Sequence, residues 1–326
     1  MLARTLRVGA PLRRPFKQGA LRPTTTTTTT TTTITPHQTL PQNARHNSTP
    51  AYQDKWQPGS SSTAGGTSSS VDANELSHFN ALASTWWDAQ GPSRLLHLMN
   101  PMRIDFVKHC LSMHDRPPSS PFPLTSTAKP DGFTVLDVGC GGGIFSESVA
   151  RLPDTAHVVG LDPSEVVLGV ARAHAKKDPS LTHKLQYVNS TIDDYRPATA
   201  DQQVDLLTLF EVVEHVPYPA AFLQSCMRHV RPGGWIVLST IARTWSSWLT
   251  TKLVAEDLLR IVPRGTHDWY KYVNEDEMRD FFNKQPGWGS QGMLTMGCLY
   301  IPGVGWRAIK GGERVGNYFF GVRRDL

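Results

Sequence analysis

The first 53 residues of this 326-residue chain contain no aspartate and no glutamate. The same stretch holds seven basic residues, which are Arg4, Arg7, Arg13, Arg14, Lys17, Arg22 and Arg45. They account for the net charge of +5, since the rest of the chain carries 26 basic against 28 acidic residues. The basic balance therefore belongs to the leader, which argues against a folded nucleic-acid-binding face.

Cysteines and long apolar runs are also scarce. The four cysteines lie far apart without a Cys-x-x-Cys pair, so the sequence indicates neither a zinc site nor a disulfide framework. No window approaches the ~18 apolar residues that a bilayer-crossing helix needs. The opening "MLARTLRVGAPLRRPF" also lacks the unbroken apolar stretch of a secretory signal.

The leader has the composition of a mitochondrial transit peptide, being acid-free, rich in Ser and Thr, and able to form a basic amphipathic helix. The alternative is an ordinary disordered basic tail. Ten consecutive threonines at 24–33 and the tract "GSSSTAGGTSSS" have nothing to bury. We expect residues 1–70 to be a transit peptide and disordered linker, and residues 71–326 to form the folded domain.

The rest of the chain alternates helical patterns with short β-branched runs. Residues 75–111 predict two or three cap helices broken at Gly91-Pro92. Five runs then predict strands, at 134–138, 157–161, 185–188, 204–209 and 234–240. Helical patterns between them indicate βαβ units and a parallel sheet. "GMLTMGCLYIPGVGW" and "VGNYFFGVRR" predict a final antiparallel pair. We expect one α/β domain with a seven-stranded, mostly parallel sheet.

The glycine cluster in "VLDVGCGGGIFSESVARL" follows the first predicted strand. No Lys follows it as a P-loop requires, and Ile144 or Ser146 stands where a dinucleotide fingerprint has its third glycine. What remains is Asp137 followed by Gly139, Gly141 and Gly143. A carboxylate there would repel a pyrophosphate but would suit an ammonium or sulfonium ligand. Asp162, which ends the second predicted strand, can take two ribose hydroxyls.

This pattern resembles that of class I S-adenosylmethionine-dependent methyltransferases, which have a Rossmann-like fold. Together with "FNALASTWWDAQGPSRLLHLMNPMR" and "FEVVEHV", it resembles the mitochondrial branch of the ubiquinone biosynthesis O-methyltransferase family over residues 76–323. The resemblance implies methyl transfer (EC 2.1.1 class) to a phenolic oxygen of polyprenylated dihydroxybenzoate and demethylubiquinol intermediates. It also implies peripheral attachment to the matrix side of the inner membrane, alongside other subunits of a coenzyme Q synthesis complex.

The same resemblance implies roles for individual residues. It places Gly139, with Gly141, against the methionine part of the cofactor and Asp162 at its ribose. Phe210 would line the cofactor site, Arg103 would reach the cofactor carboxylate, and Asp193 would read the adenine edge. The chain departs from the family at Tyr300, which is followed by Ile-Pro where the family has Asn-Pro.

The acidic motif supplies the candidate catalytic residues. Glu211, Glu214 and His215 stand at i, i+3 and i+4, and would share one face of a helix. Such a set suits Mg²⁺, though Zn²⁺ or another divalent ion would also bind. The ion could bind a catechol and lower the pKa of its hydroxyl. The alternative is metal-free, with Glu214 structural and His215 acting alone as general base.

Two further alternatives concern the function of the whole protein. One is a methyltransferase that acts on another phenol or on a nitrogen, and the other is a non-catalytic scaffold subunit.

A membrane contact is predicted at residues 245–264, "WSSWLTTKLVAEDLLRIVPR". Its apolar residues follow helical spacing, and Lys252, Arg260 and Arg264 supply basic ends for anionic lipid. The alternative is a helix that packs on its own domain.

Overall fold

The computed structural model describes Trp56 and residues 70–113, 132–197, 203–243 and 271–326. Residues 46–326 belong to one compact unit. Nearly all of the expected transit peptide and linker, and the whole of the expected membrane segment at 245–264, lie outside the described residues. None of the described helices is both long enough and apolar enough to cross a bilayer.

Six α-helices are described, and some of them begin with a side-chain cap. They are α1 (Ala73–Leu82), α2 (Arg94–Ser112), α3 (Ile144–Ala150), α4 (Glu165–Ala175), α5 (Pro219–Met227) and α6 (Glu275–Asn283). The Asp72 side chain accepts from Asn74 N at the start of α1, and Ser164 Oγ accepts from Val167 N at the start of α4. The predicted break at Gly91-Pro92 is confirmed, because it separates a short 3₁₀ turn after α1 from α2.

The sheet has eight strands. They are β1 (Phe133–Val138), β2 (Thr155–Asp162), β3 (Leu185–Asn189), β4 (Val204–Phe210), β5 (Val230–Ile241), β6 (Trp288–Ile301), β7 (Gly305–Ala308) and β8 (Asn317–Arg324). The order is β3-β2-β1-β4-β5-β8-β6-β7. Strands β1 to β5 are parallel to one another, whereas the pairs β5–β8, β8–β6 and β6–β7 are antiparallel. The predicted mixed sheet is confirmed, but the count of seven was wrong because the loop after β6 folds back as β7.

Both faces of the central strands are buried. In β4, Leu207 and Leu209 pack into one apolar cluster with Phe222 of α5 and Phe282 of α6. The alternate residue Leu206 packs into a second cluster, with helices α2 and α3. A strand covered on both faces has no polar side, so it appears in the sequence as a continuous apolar run.

The order of the strands fixes where a ligand can bind. The chain runs outward from β1 to β2 and β3, then returns to β4 on the other side of β1. In such sheets, ligands bind beyond the carboxyl ends of the strands at this reversal point. Asp137 of β1 lies in register with Thr208 of β4, so the turns that follow these two strands are neighbours.

Candidate active site

A cavity of about 500 Å³ lies at the carboxyl ends of β1, β2 and β4. The glycine turn, Asp162 and the segment that follows Phe210 form its walls. Side chains of α1, α2 and the β6–β7 hairpin complete the lining. The cavity thus brings together sequence motifs that are separated by more than a hundred residues.

The absence of side chains in the glycine turn lets an indole of the protein, as well as a ligand, approach its backbone closely. Gly139, Gly141 and Gly143 have φ angles of 70°, 54° and 87°, which side chains rarely adopt. A Cβ at Gly141 or at Gly142 would lie 2.3 or 2.2 Å from the indole of Trp86. The indole Nε1 of Trp87 donates to Gly142 O at 2.8 Å. Helices α1 and α2 and the segment between them, which together form the cap, are therefore packed directly on this turn.

Asp137 is a buried carboxylate held by two hydroxyls. Thr208 Oγ1 donates to its Oδ1 at 2.7 Å, and Ser146 Oγ donates to its Oδ2. Burial raises the pKa of Asp137 to about 6, while these two hydrogen bonds and the charge of Arg103 lower it. The expected carboxylate thus lines the cavity in a setting that would gain from a nearby positive charge.

Asp162 ends β2, as predicted, and both of its oxygens accept hydrogen bonds from the backbone. Gly141 N donates to Oδ2 at 3.0 Å, and Ser164 N donates to Oδ1 at 2.9 Å. Burial raises its pKa, and these two bonds oppose the shift. Asp162 therefore braces the glycine turn from the neighbouring strand end, a role that its place in the sequence did not indicate.

Arg103 is a buried charge whose fork is incompletely paired. It is 4% exposed on α2, and its Cζ lies 5.1 Å from the ring centroid of Phe210. Within the described residues, its Nε and Nη2 have no hydrogen-bond partner. Burial lowers its pKa, and the charges of Glu211 and Asp137 oppose the shift. Two unpaired donors beside the cavity indicate that an acidic ligand group completes this site.

The acidic motif adopts a different conformation from the one expected. Only Val213–His215 form a helical turn, and it is 3₁₀. Glu211 precedes it with a φ of 56°, so Glu211, Glu214 and His215 do not share one face of an α-helix. Their side chains nevertheless all line the cavity.

The two carboxylates of this motif are held by hydroxyls of β5. Ser239 Oγ donates to Glu211 Oε1 at 2.6 Å, and Thr240 Oγ1 donates to Glu214 Oε2 at 3.0 Å. Burial raises the pKa of Glu214 to about 7, and the charge of Glu211 adds to the shift. The hydroxyls of Ser239 and Thr240 thus hold both carboxylates beside the cavity.

His215 pairs with Glu75 of α1, a residue that the sequence did not suggest. The distance from His215 Nδ1 to Glu75 Oε2 is 3.1 Å, and Lys271 Nζ lies 3.1 Å from Glu75 Oε1. The bond to His215 and, to a smaller extent, Lys271 lower the pKa of Glu75 to about 2, although burial opposes the shift. Burial lowers the pKa of His215, but the bond to Glu75 and the nearby carboxylates outweigh it and raise the pKa. No local spacing could have connected residues 140 positions apart.

Asp193 is the expected site residue that does not line the cavity. Its Oδ1 accepts a hydrogen bond of 2.7 Å from Ser225 Oγ on α5. Its neighbours Thr191 and Ile192 line the cavity instead. The turn after β3 directs the carboxylate toward α5, so an adenine at this position would meet an apolar side chain and a hydroxyl.

On the opposite side, Tyr300, Pro302 and Trp306 of the β6–β7 hairpin line the cavity. The Tyr300 hydroxyl accepts from Arg94 Nη1 at 3.2 Å. The departure from the expected family pattern is the next residue, Ile301, which is 37% exposed and lies between two residues of the cavity wall.

Comparisons with known proteins show the family to which the chain belongs. Residues 136–238 match the family model described as "Methyltransferase domain". The chain is 40% identical to the mitochondrial ubiquinone biosynthesis O-methyltransferase of Candida albicans, over 78% of this chain and 86% of that protein. It is 36% identical to the one from Saccharomyces cerevisiae, over 79% and 89%. It is 40% identical to the ubiquinone biosynthesis O-methyltransferase of Methylobacterium sp., over 79% and 97%.

A solved structure shares the fold. The magnesium protoporphyrin IX methyltransferase of Synechocystis PCC 6803, with bound SAH, superposes with a TM-score of 0.51. The alignment covers 77% of this chain and 98% of that one, at 14% identity. At this identity the likeness concerns the fold alone.

Proposed function

The chain belongs to the ubiquinone biosynthesis O-methyltransferases, and from this premise we propose how its cavity binds the cofactor and activates the substrate. The enzyme transfers a methyl group from S-adenosylmethionine to a phenolic oxygen. The observation that carries the proposal is that a cofactor-type wall and an acid–base cluster line the same cavity. The substrates are polyprenylated catechols, whose ring enters this cavity.

The cofactor half of the proposal uses the glycine turn and the residues around it. The unpaired donors of Arg103 receive the cofactor carboxylate in a charge-assisted fork. Asp162 receives the ribose hydroxyls, and Asp137 supplies negative charge for the ammonium and sulfonium groups. Phe210, under the guanidinium of Arg103, keeps water from this end of the cavity. Asp193 enters the proposal only through its neighbours, since its own carboxylate is bound to Ser225.

The substrate half uses the acidic motif. His215 bonds through Nδ1 to Glu75, which fixes the tautomer of the neutral ring and keeps Nε2 available to accept a proton. A phenol is a poor nucleophile until its proton is removed, so this imidazole acts as the general base. Glu214, with its raised pKa, takes the proton onward. The product then holds the methyl group on oxygen, and the cofactor leaves as its thioether.

A divalent ion, Mg²⁺ by preference, is the second part of the proposal. Across the described ranges, no three His, Cys, Asp or Glu side chains are gathered closely enough to hold a metal ion. The donor chemistry nevertheless fits, because each carboxylate can accept about four hydrogen bonds and one hydroxyl is recorded on each. Glu211, Glu214 and His215 would hold the ion together with the oxygens of a bound catechol. His215 would then be a ligand in place of the general base, because its Nδ1 is bonded to Glu75 and its Nε2 has one lone pair. When bound, the ion would lower the pKa of the phenolic hydroxyl.

One experiment tests both the methyl transfer and its dependence on a divalent ion. Purified protein is incubated with S-adenosylmethionine and a prenylated dihydroxybenzoate, and the methylated product is followed by mass spectrometry. We expect turnover that stops after exhaustive EDTA treatment and returns with Mg²⁺. Full activity after EDTA would remove the metal and leave His215 as the base. Cofactor binding without turnover of any catechol would instead indicate a scaffold, and turnover of soluble catechols alone would indicate a different phenol substrate.

The location follows from the substrate. Relatives of this chain are mitochondrial proteins, and a polyprenylated ring is confined to lipid. The enzyme therefore works peripherally at the matrix side of the inner membrane, together with other subunits that make the same quinone. Residues 1–70 deliver it there, and residues 71–326 carry the activity.

A further inference from the structure

The imidazole of His78 is a second polar side chain at the cavity that lacks a hydrogen-bond partner. Of the described residues that carry a buried, unpaired side-chain nitrogen or oxygen, two line the cavity, Arg103 and His78. The donors of Arg103 are proposed to receive the cofactor carboxylate, which leaves the buried Nε2 of His78 without an assigned partner. Buried polar groups in native proteins nearly always have one. An unpaired imidazole nitrogen at a ligand cavity therefore indicates a ligand group that completes it.

The flank of α1 that carries His78 lies on the substrate side of the cavity. On one flank of α1, Asn80 Oδ1 accepts from the hydroxyl of Ser164, which follows β2 at the proposed ribose site. His78 stands two residues before Asn80, and two residues turn a helix by about 200°, so His78 lies on the opposite flank. One turn before His78, Glu75 bonds to His215. His78 is therefore on the side of His215 and away from the ribose.

One aromatic ring contacts both imidazoles. The edge-to-face contact of Phe79 with His78 has its ring centroids 5.8 Å apart, and that of Phe79 with His215 has them 5.2 Å apart. Phe79 itself lines the cavity. The two imidazoles thus border one aromatic wall, which suits a flat and apolar substrate ring.

A hydroxyl is the ligand group that fits His78 best. A neutral imidazole has one donor and one acceptor nitrogen, and a hydroxyl both donates and accepts, so the two can pair in either tautomer. A carboxylate fits less well, because Glu75, Glu211 and Glu214 line the same cavity and would repel it. Since a hydroxyl that donates keeps two lone pairs, its oxygen can bond to His78 whether or not it also contacts a divalent ion.

We propose that His78 binds the substrate hydroxyl that is not methylated, and that this bond brings the neighbouring hydroxyl to His215. His78 thereby determines which of two adjacent hydroxyls receives the methyl group. The inference rests on the proposed function, because it takes the substrate to be a diphenol. It adds a specificity-determining residue from the cap to the residues that the proposed function uses.

Thermal unfolding of the ligand-free protein tests whether the imidazole is structural. His78→Leu removes a buried nitrogen that has no partner, so this variant should unfold at the same temperature as the wild type or at a higher one. His97→Leu is the matched control, because the Nε2 of His97 lies 3.0 Å from Trp86 O and the variant loses that bond. We expect only His97→Leu to unfold at a lower temperature. If both variants lost stability equally, His78 would be a packing residue and the proposal would be wrong.

Titration with matched phenols tests the ligand group. The full-length protein, loaded with S-adenosylhomocysteine, is titrated calorimetrically with a diphenol that carries one isoprene unit and with the monophenol that keeps only the hydroxyl to be methylated. We expect His78→Leu to bind the diphenol about tenfold more weakly than the wild type does, and the monophenol equally well. His78→Gln, which restores a hydrogen-bonding group, should recover most of the affinity. Equal weakening of both phenols would overturn the assignment, as would a loss confined to diphenols that carry a carboxylate.

The position of the new methyl group tests the orienting role. With a prenylated dihydroxybenzoate whose two hydroxyls differ, chromatography separates the two O-methyl isomers of the product. We expect His78→Leu to raise the fraction of the minor isomer about tenfold, and His78→Gln to return it toward the wild-type value. An unchanged ratio of isomers would overturn the orienting role. If the wild type bound the diphenol but methylated nothing, the proposed function would fail, while the titrations would still decide whether His78 binds a hydroxyl.

Discussion

Arg103 is a charged side chain in a place where an unpaired charge is costly. It is almost completely buried, and burial lowers its pKa. A buried donor without a partner costs about 1–3 kcal/mol, and more when it is charged. A ligand carboxylate would supply the missing partners. The two unpaired nitrogens of Arg103 are therefore the basis on which we propose that this end of the cavity receives the cofactor carboxylate.

Replacing Arg103 tests this at the level of one functional group. Arg103→Lys keeps a cation but loses the planar fork, so we expect S-adenosylmethionine to bind at least tenfold more weakly, by about 1.5–3 kcal/mol. Calorimetric titration measures the change.

Methylthioadenosine, which lacks the carboxylate, is the matched ligand and should bind the Arg103→Lys variant almost as well as it binds the wild type. Asp162→Ala should show the opposite pattern, with both ligands weakened by about tenfold, because both contain the ribose. If Arg103→Lys weakened both ligands equally, its role would be packing against Phe210 rather than recognition.

We expect ionised Asp137 to lower the stability of the folded protein while it strengthens cofactor binding. Burial raises its pKa to about 6 in the folded protein, above the value of about 4 in the unfolded chain. The folded state therefore binds the proton more tightly than the unfolded state, and the free energy of unfolding falls as the pH rises from about 4 through about 6. Asp137→Asn removes this ionisation, while the hydroxyls of Ser146 and Thr208 can rotate to suit an amide. We expect the cofactor-free variant to be more stable at pH 7 by about 2–3 kcal/mol, yet to bind S-adenosylmethionine more weakly.

Denaturant unfolding between pH 4 and pH 8 checks the sign, since the difference between Asp137→Asn and wild type should vanish at the acid end. A variant that is less stable at every pH would mean that the two hydroxyl bonds outweigh the burial of the charge.

The cap and the glycine turn behave as one element. Trp86 packs on Gly141 and Gly142, and Trp87 donates to Gly142 O while its ring stacks on His174 with centroids 3.4 Å apart. Helix α1 adds the pair between Glu75 and His215. These contacts hold the cap against the glycine turn and against His215, so we expect cofactor binding and the position of the cap to be coupled through this turn.

A single methyl group tests that coupling. Gly142 has an ordinary φ, but a Cβ there would lie 2.2 Å from Trp86 Cδ1. Gly142→Ala should therefore displace the cap without straining its own backbone, and limited proteolysis should cut residues 73–91 faster. Gly169→Ala is the control, because nothing lies within 4 Å of that Cβ, and it should be neutral or slightly stabilising in its helix. Identical proteolysis of the two variants would contradict the coupling.

Helices and strands could be predicted from the sequence wherever the local pattern of apolar residues determines them. Strands such as β4 are buried on both faces, so every residue of "VDLLTLF" after the first is buried and the run stands out. Strand β7 has only four residues and begins with glycine, so it carries no such pattern and forms only because it pairs with β6. The Glu75–His215 pair and the turning of Asp193 toward Ser225 depend on tertiary packing, which no local spacing encodes.

At the scale of the whole molecule, the charge divides into two parts with different uses. The first 53 residues hold seven basic residues and no acid, and the remainder is close to neutral with two more acidic than basic residues. A matrix-directed leader needs positive charge to be drawn through the inner membrane, whereas an enzyme that binds a cationic cofactor gains nothing from a basic body.

The leader can be tested apart from the enzyme. Residues 1–60 fused to a fluorescent protein should direct it to mitochondria, because an acid-free, arginine-rich segment is drawn toward the negative matrix. The matched fusion carries Gln at the seven basic positions and should remain cytosolic, since it keeps the length and the threonine tract but loses the charge. Fluorescence microscopy and protease protection of isolated mitochondria check both fusions. If the unmodified fusion stayed cytosolic, the basic residues would have no part in import, and the route to the matrix would have to depend on the remaining chain.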